Sequence, residues 1–129
     1  MLFCKIENNN TLNIQNELDL HKAIVKFLKT TDLLFTCPLP CDLDTDEKRI
    51  MSSLKGYTKG TPDIFIFNKN NSYNGLAIEL KTPKGYGTIS KSQYAFIENL
   101  SCECDYFVLV SNDFSTIIEC IVKYSHGIL

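Results

Sequence analysis

Long apolar runs are missing from this 129-residue chain. The longest, Tyr106 to Val110, is five residues, against about 20 for a bilayer-spanning helix. The N-terminal MLFCKIENNN has no apolar h-region of signal-peptide length. With no export signal, an intracellular location is expected, the host cytoplasm or nucleus for a viral chain. Metal-finger spacing is also missing. The two histidines, His21 and His126, stand far apart. Cys37-x3-Cys41 and Cys102-x-Cys104 do not form the paired C-x2–4-C pattern of a structural zinc site. The six cysteines are most simply free thiols of a reducing compartment. A P-loop is absent, which argues against nucleotide hydrolysis. Arginine is scarce, with Arg49 alone, and arginine makes the commonest specific base contact. Base-sequence readout is therefore not expected. No internal repeat or long linker divides the chain, so residues 1–129 are expected to form one domain.

What is present is a soluble composition, 22% charged and 44% hydrophobic, enough to bury a core. The net charge of −2 does not announce a nucleic-acid binder, but its distribution is uneven. From Lys48 to Lys91 there are eight basic residues and only two acids, Asp63 and Glu79. A basic middle in an acidic chain suggests one positive face. Solvated loop lysines are the plainer alternative.

Helical spacing runs from Ile14 to Lys29, with Ile14, Leu18, Val25 and Leu28 as a stripe widened by Leu20, Ile24 and Phe27. Glu17 lies on or beside its inward face, where a first-turn acid also suits the helix dipole. Leu33 to Cys37 reads as an edge strand stopped by Pro38 and Pro40. Asp44-x-x-Glu47 has a capping-box pattern before Ile50, Met51 and Leu54, with Gly56 as a stop, so a short helix is expected. Ile64 to Phe67 and Leu76 to Lys81 read as hairpin strands around an Asn-rich turn. Ser90-x-x-Gln93 opens a further helix, with Tyr94, Ile97 and Leu100 on its buried side. Tyr106 to Val110 reads as a strand buried on both faces. In TIIECIV, β-branching favours a strand and the i, i+4 recurrence of Ile117 and Ile121 favours a helix; helix is chosen, ending at Gly127. These elements make a mixed α/β domain with helices on a central sheet.

Charges at strand ends need a cause. Along Leu76 to Lys81 the side chains alternate between faces, so Glu79 and Lys81 share a face one strand repeat apart. An antiparallel hairpin brings Asp63, which opens the first strand, level with them. Two nearby carboxylates repel unless a cation sits between them. Mg2+ takes one or two protein carboxylates and leaves positions for water and phosphate, and a lysine beside it can hold a phosphate oxygen or orient water. That set suits metal-assisted phosphodiester hydrolysis. Ion pairs guarding a sheet edge are the alternative.

Pro62-Asp63, fifteen residues, then Glu79-Leu80-Lys81 matches the PD-(D/E)XK nuclease pattern. Gly56-Tyr57-Thr58-Lys59-Gly60-Thr61-Pro62-Asp63, Ile78 to Thr82, Gly85, Ser90-Lys91-Ser92-Gln93 and Leu100 resemble the VRR-NUC family, the virus-type replication–repair nucleases, over roughly residues 14 to 125. The resemblance implies a restriction-endonuclease-like core, a central mixed β-sheet flanked by α-helices. It implies Asp63, Glu79 and the Leu80 backbone carbonyl as metal ligands, Lys81 as the catalytic lysine, Glu17 as the first-helix glutamate of the metal site, and Gln93 as the glutamine after the glycine-rich loop. The cofactor implied is Mg2+, with Mn2+ as a possible substitute. Free-standing members of the family resemble homodimeric resolvases of four-way (Holliday) DNA junctions acting in repair and recombination, and the short chain suits one. Arg49, Lys55, Lys59, Lys84 and Lys91 flank these motifs and are candidate phosphate contacts. The loop Pro83 to Gly87 could pass near a DNA phosphate. Alternatives are a repair exonuclease or flap nuclease, a restriction-type enzyme, and a DNA-binding module that does not cut. A dimer face is not visible; Tyr94 and Tyr124 could contribute, though core packing suits each.

Overall fold

The computed structural model describes residues 2–4, 13–38, 43–84 and 87–129. Five strands form one mixed sheet in the order β1-β5-β4-β3-β2. They are β1 (Leu2–Cys4), β2 (Phe35–Thr36), β3 (Ile64–Ile66), β4 (Gly75–Leu80) and β5 (Tyr106–Ser111). Four helices flank them: α1 (Glu17–Leu28), α2 (Asp46–Leu54), α3 (Lys91–Cys104) and α4 (Phe114–Ser125). β3 and β4 form the expected antiparallel hairpin, with Ile64 opposite Ile78 and Ile66 opposite Leu76. Its turn is held by Asn70, whose Oδ1 accepts from the backbone N–H groups of Ser72 and Tyr73, a local bond typical of asparagine. β5 runs parallel to both β4 and β1. The long crossover that parallel pairing requires is supplied by α3.

Side-chain alternation divides the sheet into two faces. Ile64, Ile66, Leu76, Ile78, Leu80 and Leu109 bury against Leu20, Ile24 and Leu28 of α1 and Ile117, Cys120, Ile121 and Tyr124 of α4. The opposite face, Phe65, Ala77, Val108 and Val110, packs against Ile97 and Leu100 of α3. Each element has a local reason. Asn16 caps α1, its side chain accepting from the Asp19 N–H. Asp113 caps α4 through the Thr116 N–H. Ser90 and Gln93 form the reciprocal capping box of α3. Ile117 and Ile121 are both buried, because in a helix one turn places them on one face. That resolves TIIECIV as helix.

Several expectations are corrected. α2 is capped by Thr45, which accepts from the Lys48 N–H; Asp44 instead pairs with the Lys48 ammonium at 2.7 Å. Tyr94, expected inside, is exposed, whereas Tyr124 is buried and donates to the Asn68 carbonyl at 2.7 Å. Leu18 lies outside the α1 stripe and is exposed, because Leu20, Ile24 and Leu28 already form the i, i+4, i+8 line that meets the sheet. The edge strand shrinks to Phe35–Thr36, though it does lie at the sheet edge. β1 was not foreseen. Pro40, Cys41, the Asn8–Asn10 patch, and Gly85 and Tyr86 of the glycine loop lie outside the described residues. Cys37, Cys102, Cys104 and Cys120 are free thiols. Among the described residues no helix is long and apolar enough to cross a membrane.

Candidate active site

The site lies where β3 begins and β4 ends. Continuing the register of Ile64 opposite Ile78 by one residue sets Asp63 opposite Glu79. Asp63 is fixed by its own hairpin: its Oδ2 accepts the Leu80 N–H at 2.7 Å. In a strand the N–H and C=O of one residue point to the same side. The Leu80 carbonyl is therefore directed toward the Asp63 side, while the next N–H, that of Lys81, turns to the Ser111 carbonyl of β5 at 3.0 Å.

α3 supplies the other wall. The Gln93 amide donates from Nε2 to Glu79 Oε1 at 2.6 Å. Its Oε1 accepts from Lys81 Nζ at 3.1 Å and from the Ser90 N–H at 3.0 Å. The capping box thus fixes the amide that ties the lysine to the glutamate. Lys81 Nζ also donates to the Thr88 carbonyl at 3.1 Å and stands 3.8 Å from Glu79 Oε1. Two glycines make this assembly possible. Gly60 has φ +93, and a Cβ there would collide with the backbone carbonyl of Ser92. The loop leading to Asp63 is thereby seated directly on the first turn of α3. At Gly87 a Cβ would come within 2.8 Å of the Lys81 stem.

The electrostatics follow from burial. Glu79 is only 4% exposed. Burial first, then the neighbouring Asp63 charge, push its carboxyl from 4.5 up to about 8, against the opposing pull of Lys81. Burial also raises Asp63, opposed by the Leu80 N–H and by the His21 and Lys81 charges. The two carboxylates lie close enough for each to perturb the other. Glu17, the first residue of α1, is exposed rather than inward-facing but belongs to the same field: desolvation and then the Asp63 charge raise it, and Lys81 lowers it. Of the five residues expected to carry the chemistry, Asp63, Glu79, Lys81 and Gln93 thus meet at one end of the sheet, and Glu17 lies near enough to feel the Asp63 and Lys81 charges.

Three neighbours escaped the sequence. Tyr57 is raised by burial, then by the charges of Asp63 and Glu79. His21 stands one helical turn beyond Glu17, and its Nε2 lies 3.3 Å from Cys37 Sγ. Cys37 is itself raised by burial and by Asp63. The four-residue spacing of Glu17 and His21 on one helix was the available signal for His21, and the place of Tyr57 in the Gly56 to Asp63 motif was the signal for Tyr57; Cys37 had none.

Among the described residues no three His, Cys, Asp or Glu side chains form a complete cage for an ion. Two close acids, one of them kept protonated by burial, do fit a hydrated hard cation, which uses one or two carboxylates and keeps several waters. A cation between them would relieve the repulsion that helps to raise Glu79.

Of the candidate phosphate contacts, Lys59 precedes Gly60 and Lys91 precedes Ser92. The Gly60–Ser92 contact brings the backbone near these two exposed lysines together. Lys55 follows α2 directly, and Lys84 follows Pro83; both are exposed. Arg49 is engaged within its own helix, donating to Asp46 Oδ1 and the Leu43 carbonyl, each at 2.6 Å.

No curated protein matches the sequence. A solved structure described as a VRR_NUC domain protein superposes with a TM-score of 0.69 at 21% identity, covering 86% of this chain and 88% of that one; the likeness is one of fold. The VRR-NUC domain family model matches residues 9–113, a span that contains Glu17, Asp63, Glu79, Lys81 and Gln93, and the chain belongs to this family of PD-(D/E)XK-type nucleases.

Proposed function

We propose that the protein is a metal-dependent DNA endonuclease that cuts phosphodiester bonds in branched DNA, four-way junctions above all, and acts as a homodimer. The observation that carries this reading is the chain Lys81–Gln93–Glu79 beside Asp63, in which a buried acid with a carboxyl pKa of about 8 is held 3.8 Å from an ammonium.

The reaction is hydrolysis. A water oxygen bonds to phosphorus, the bond from phosphorus to a sugar oxygen breaks, and that oxygen takes up a proton. Lys81 has three N–H donors. Two are spent on Thr88 and Gln93, which fix its direction and leave one for a non-bridging phosphate oxygen or the attacking water. Gln93 holds Glu79 and Lys81 at constant separation, so neither needs to reorganise as charge develops. Asp63, Glu79 and the Leu80 carbonyl are the groups that would hold Mg2+, or Mn2+ in its place, with Glu17 as a further acid of the metal's surroundings, and the ion when bound would lower the pKa of water and screen charge on the phosphate. Lys59 and Lys91, with Lys55 and Lys84, position the backbone without reading bases. A two-fold dimer presents two such sites to two strands. The compartment is intracellular.

The test is cleavage at low salt with Mg2+ or Mn2+ on end-labelled four-way junction, flap, linear duplex and single strand, wild type beside Lys81→Ala. Paired nicks on the junction, lost in the variant, are expected. Cutting from free ends would make it an exonuclease. Tight binding without any cut would make it a DNA-binding module.

A further inference from the structure

β5 runs out into three consecutive buried polar residues, Ser111, Asn112 and Asp113. Two of them have a local reason. Ser111 Oγ accepts the Asp113 N–H at 3.2 Å, and Asp113 Oδ2 caps α4. Asn112 caps nothing. It is 3% exposed, and its Oδ1 is buried with no hydrogen-bond partner among the described residues. An apolar side chain of similar size would avoid the cost of burying that oxygen unpaired. The other half of the amide accounts for asparagine here: Nδ2 donates to the Pro83 carbonyl at 3.4 Å.

This bond takes over where the sheet stops. β4 ends at Leu80, paired with Ser111, and the Lys81 N–H still reaches the Ser111 carbonyl at 3.0 Å. Continuing that register by one residue sets Asn112 beside Lys81. The chain then leaves the sheet through Thr82, Pro83 and the exposed Lys84. Proline has a nearly fixed φ and no N–H, so a bond to its carbonyl sets the direction in which Lys84 departs.

We propose that Asn112 is a positioning residue: from within the core it clamps the Pro83 carbonyl and so holds Lys84 where a DNA phosphate passes the site. This assignment rests on the nuclease reading above and deepens it, because it gives Lys84 a fixed place rather than the freedom of a solvated loop lysine. Asn112 itself touches no DNA. A backbone ordered in advance lowers what the phosphate contact must spend on ordering. Lys81 is held separately, by Thr88 and Gln93, so the effect of Asn112 is felt first in binding.

The test has one arm without DNA and one with it. Asn112→Leu keeps the bulk and removes both the donor and the unpaired oxygen, while the Pro83 carbonyl, on a partly buried residue, can turn to water. Its melting temperature is expected to equal or exceed that of the wild type, whereas a purely structural asparagine would lower it. In the free protein the NMR order parameter of the Lys84 amide is expected to fall from about 0.85 to below ~0.6. On a four-way junction in EDTA, anisotropy is expected to show about fivefold weaker binding and a salt dependence reduced by about one counterion. Lys84→Ala should weaken binding to the same degree, and the double variant no further. Asn112→Ala, which adds no branched bulk, is the second variant and is expected to loosen Lys84 and weaken binding alike. An order parameter unchanged in both variants overturns the clamp. A loosened Lys84 with wild-type affinity, or losses that multiply in the double variant, overturn its role in holding DNA. A protein that shows the full pattern and yet cuts nothing with Mg2+ would leave the positioning role standing and remove the nuclease reading alone.

Discussion

Glu79 bears two constraints: it is buried on the α3 face and it faces another acid. In the metal-free protein its carboxyl holds a proton up to about pH 8, whereas the unfolded chain releases it near 4.5. Below 4.5 both states are protonated and the stabilisation is complete. As pH rises through this window the folded state alone retains the proton, so stability falls with pH. A few kcal/mol are at stake, at about 1.4 kcal/mol per pKa unit. Denaturant titrations in EDTA between pH 5 and 8.5 should show this decline, and Glu79→Gln, which needs no proton, should flatten it. Lys81→Ala should lower cutting by at least ~100-fold, a loss typical of removing a positioned charge at a developing anion. It should leave DNA binding nearly intact, as fluorescence anisotropy would show. Lys59→Ala and Lys91→Ala should do the reverse. Each should weaken binding to all DNA shapes and reduce the salt dependence by about one counterion.

At the scale of elements, the site depends on how α3 begins. Ser90→Ala removes the cap on the Gln93 N–H and should cost about 1 kcal/mol. It should leave cutting nearly unchanged, because the Gln93 side chain is held by the Ser90 backbone N–H, which alanine keeps, so melting should fall while single-turnover rates hold. Gly60→Ala is the harsher change. A left-handed backbone and a collision with the Ser92 carbonyl combine there, and a loss above ~2 kcal/mol is expected. The triad was legible in the sequence because strand alternation is strict: Glu79 and Lys81 must share a face, and a short hairpin leaves Asp63 little choice of register. Gln93 was legible as a cap. Its bridge from Lys81 to Glu79 was not, since that needs α3 to seat on Gly60. Cys37 arrives from a separate loop, and no local pattern encodes such an approach. Tyr94 was misplaced because Ile97 and Leu100 alone carry the α3 contact with the sheet. Three residues of β1 are too few to show a period, and their pairing is set by the exposed edge of β5.

At the scale of the molecule, an acidic composition and a basic middle segment are compatible because the only acids of that segment, Asp63 and Glu79, lie in the site while Lys55, Lys59, Lys84 and Lys91 are exposed. A divalent cation that binds at Asp63 and Glu79 must displace the proton that burial keeps on Glu79, so binding should strengthen with pH. Mg2+ or Mn2+ should therefore raise the melting temperature more at pH 8 than at pH 6, and not at all in the Asp63→Asn, Glu79→Gln double variant. The most direct test of the whole account is single-turnover cleavage of a labelled four-way junction by wild type and Lys81→Ala over a Mg2+ series that includes EDTA. Wild type should make metal-dependent paired nicks, and Lys81→Ala none at any metal concentration although the junction stays bound. Cutting that persists in EDTA, or that survives Lys81→Ala, would contradict it.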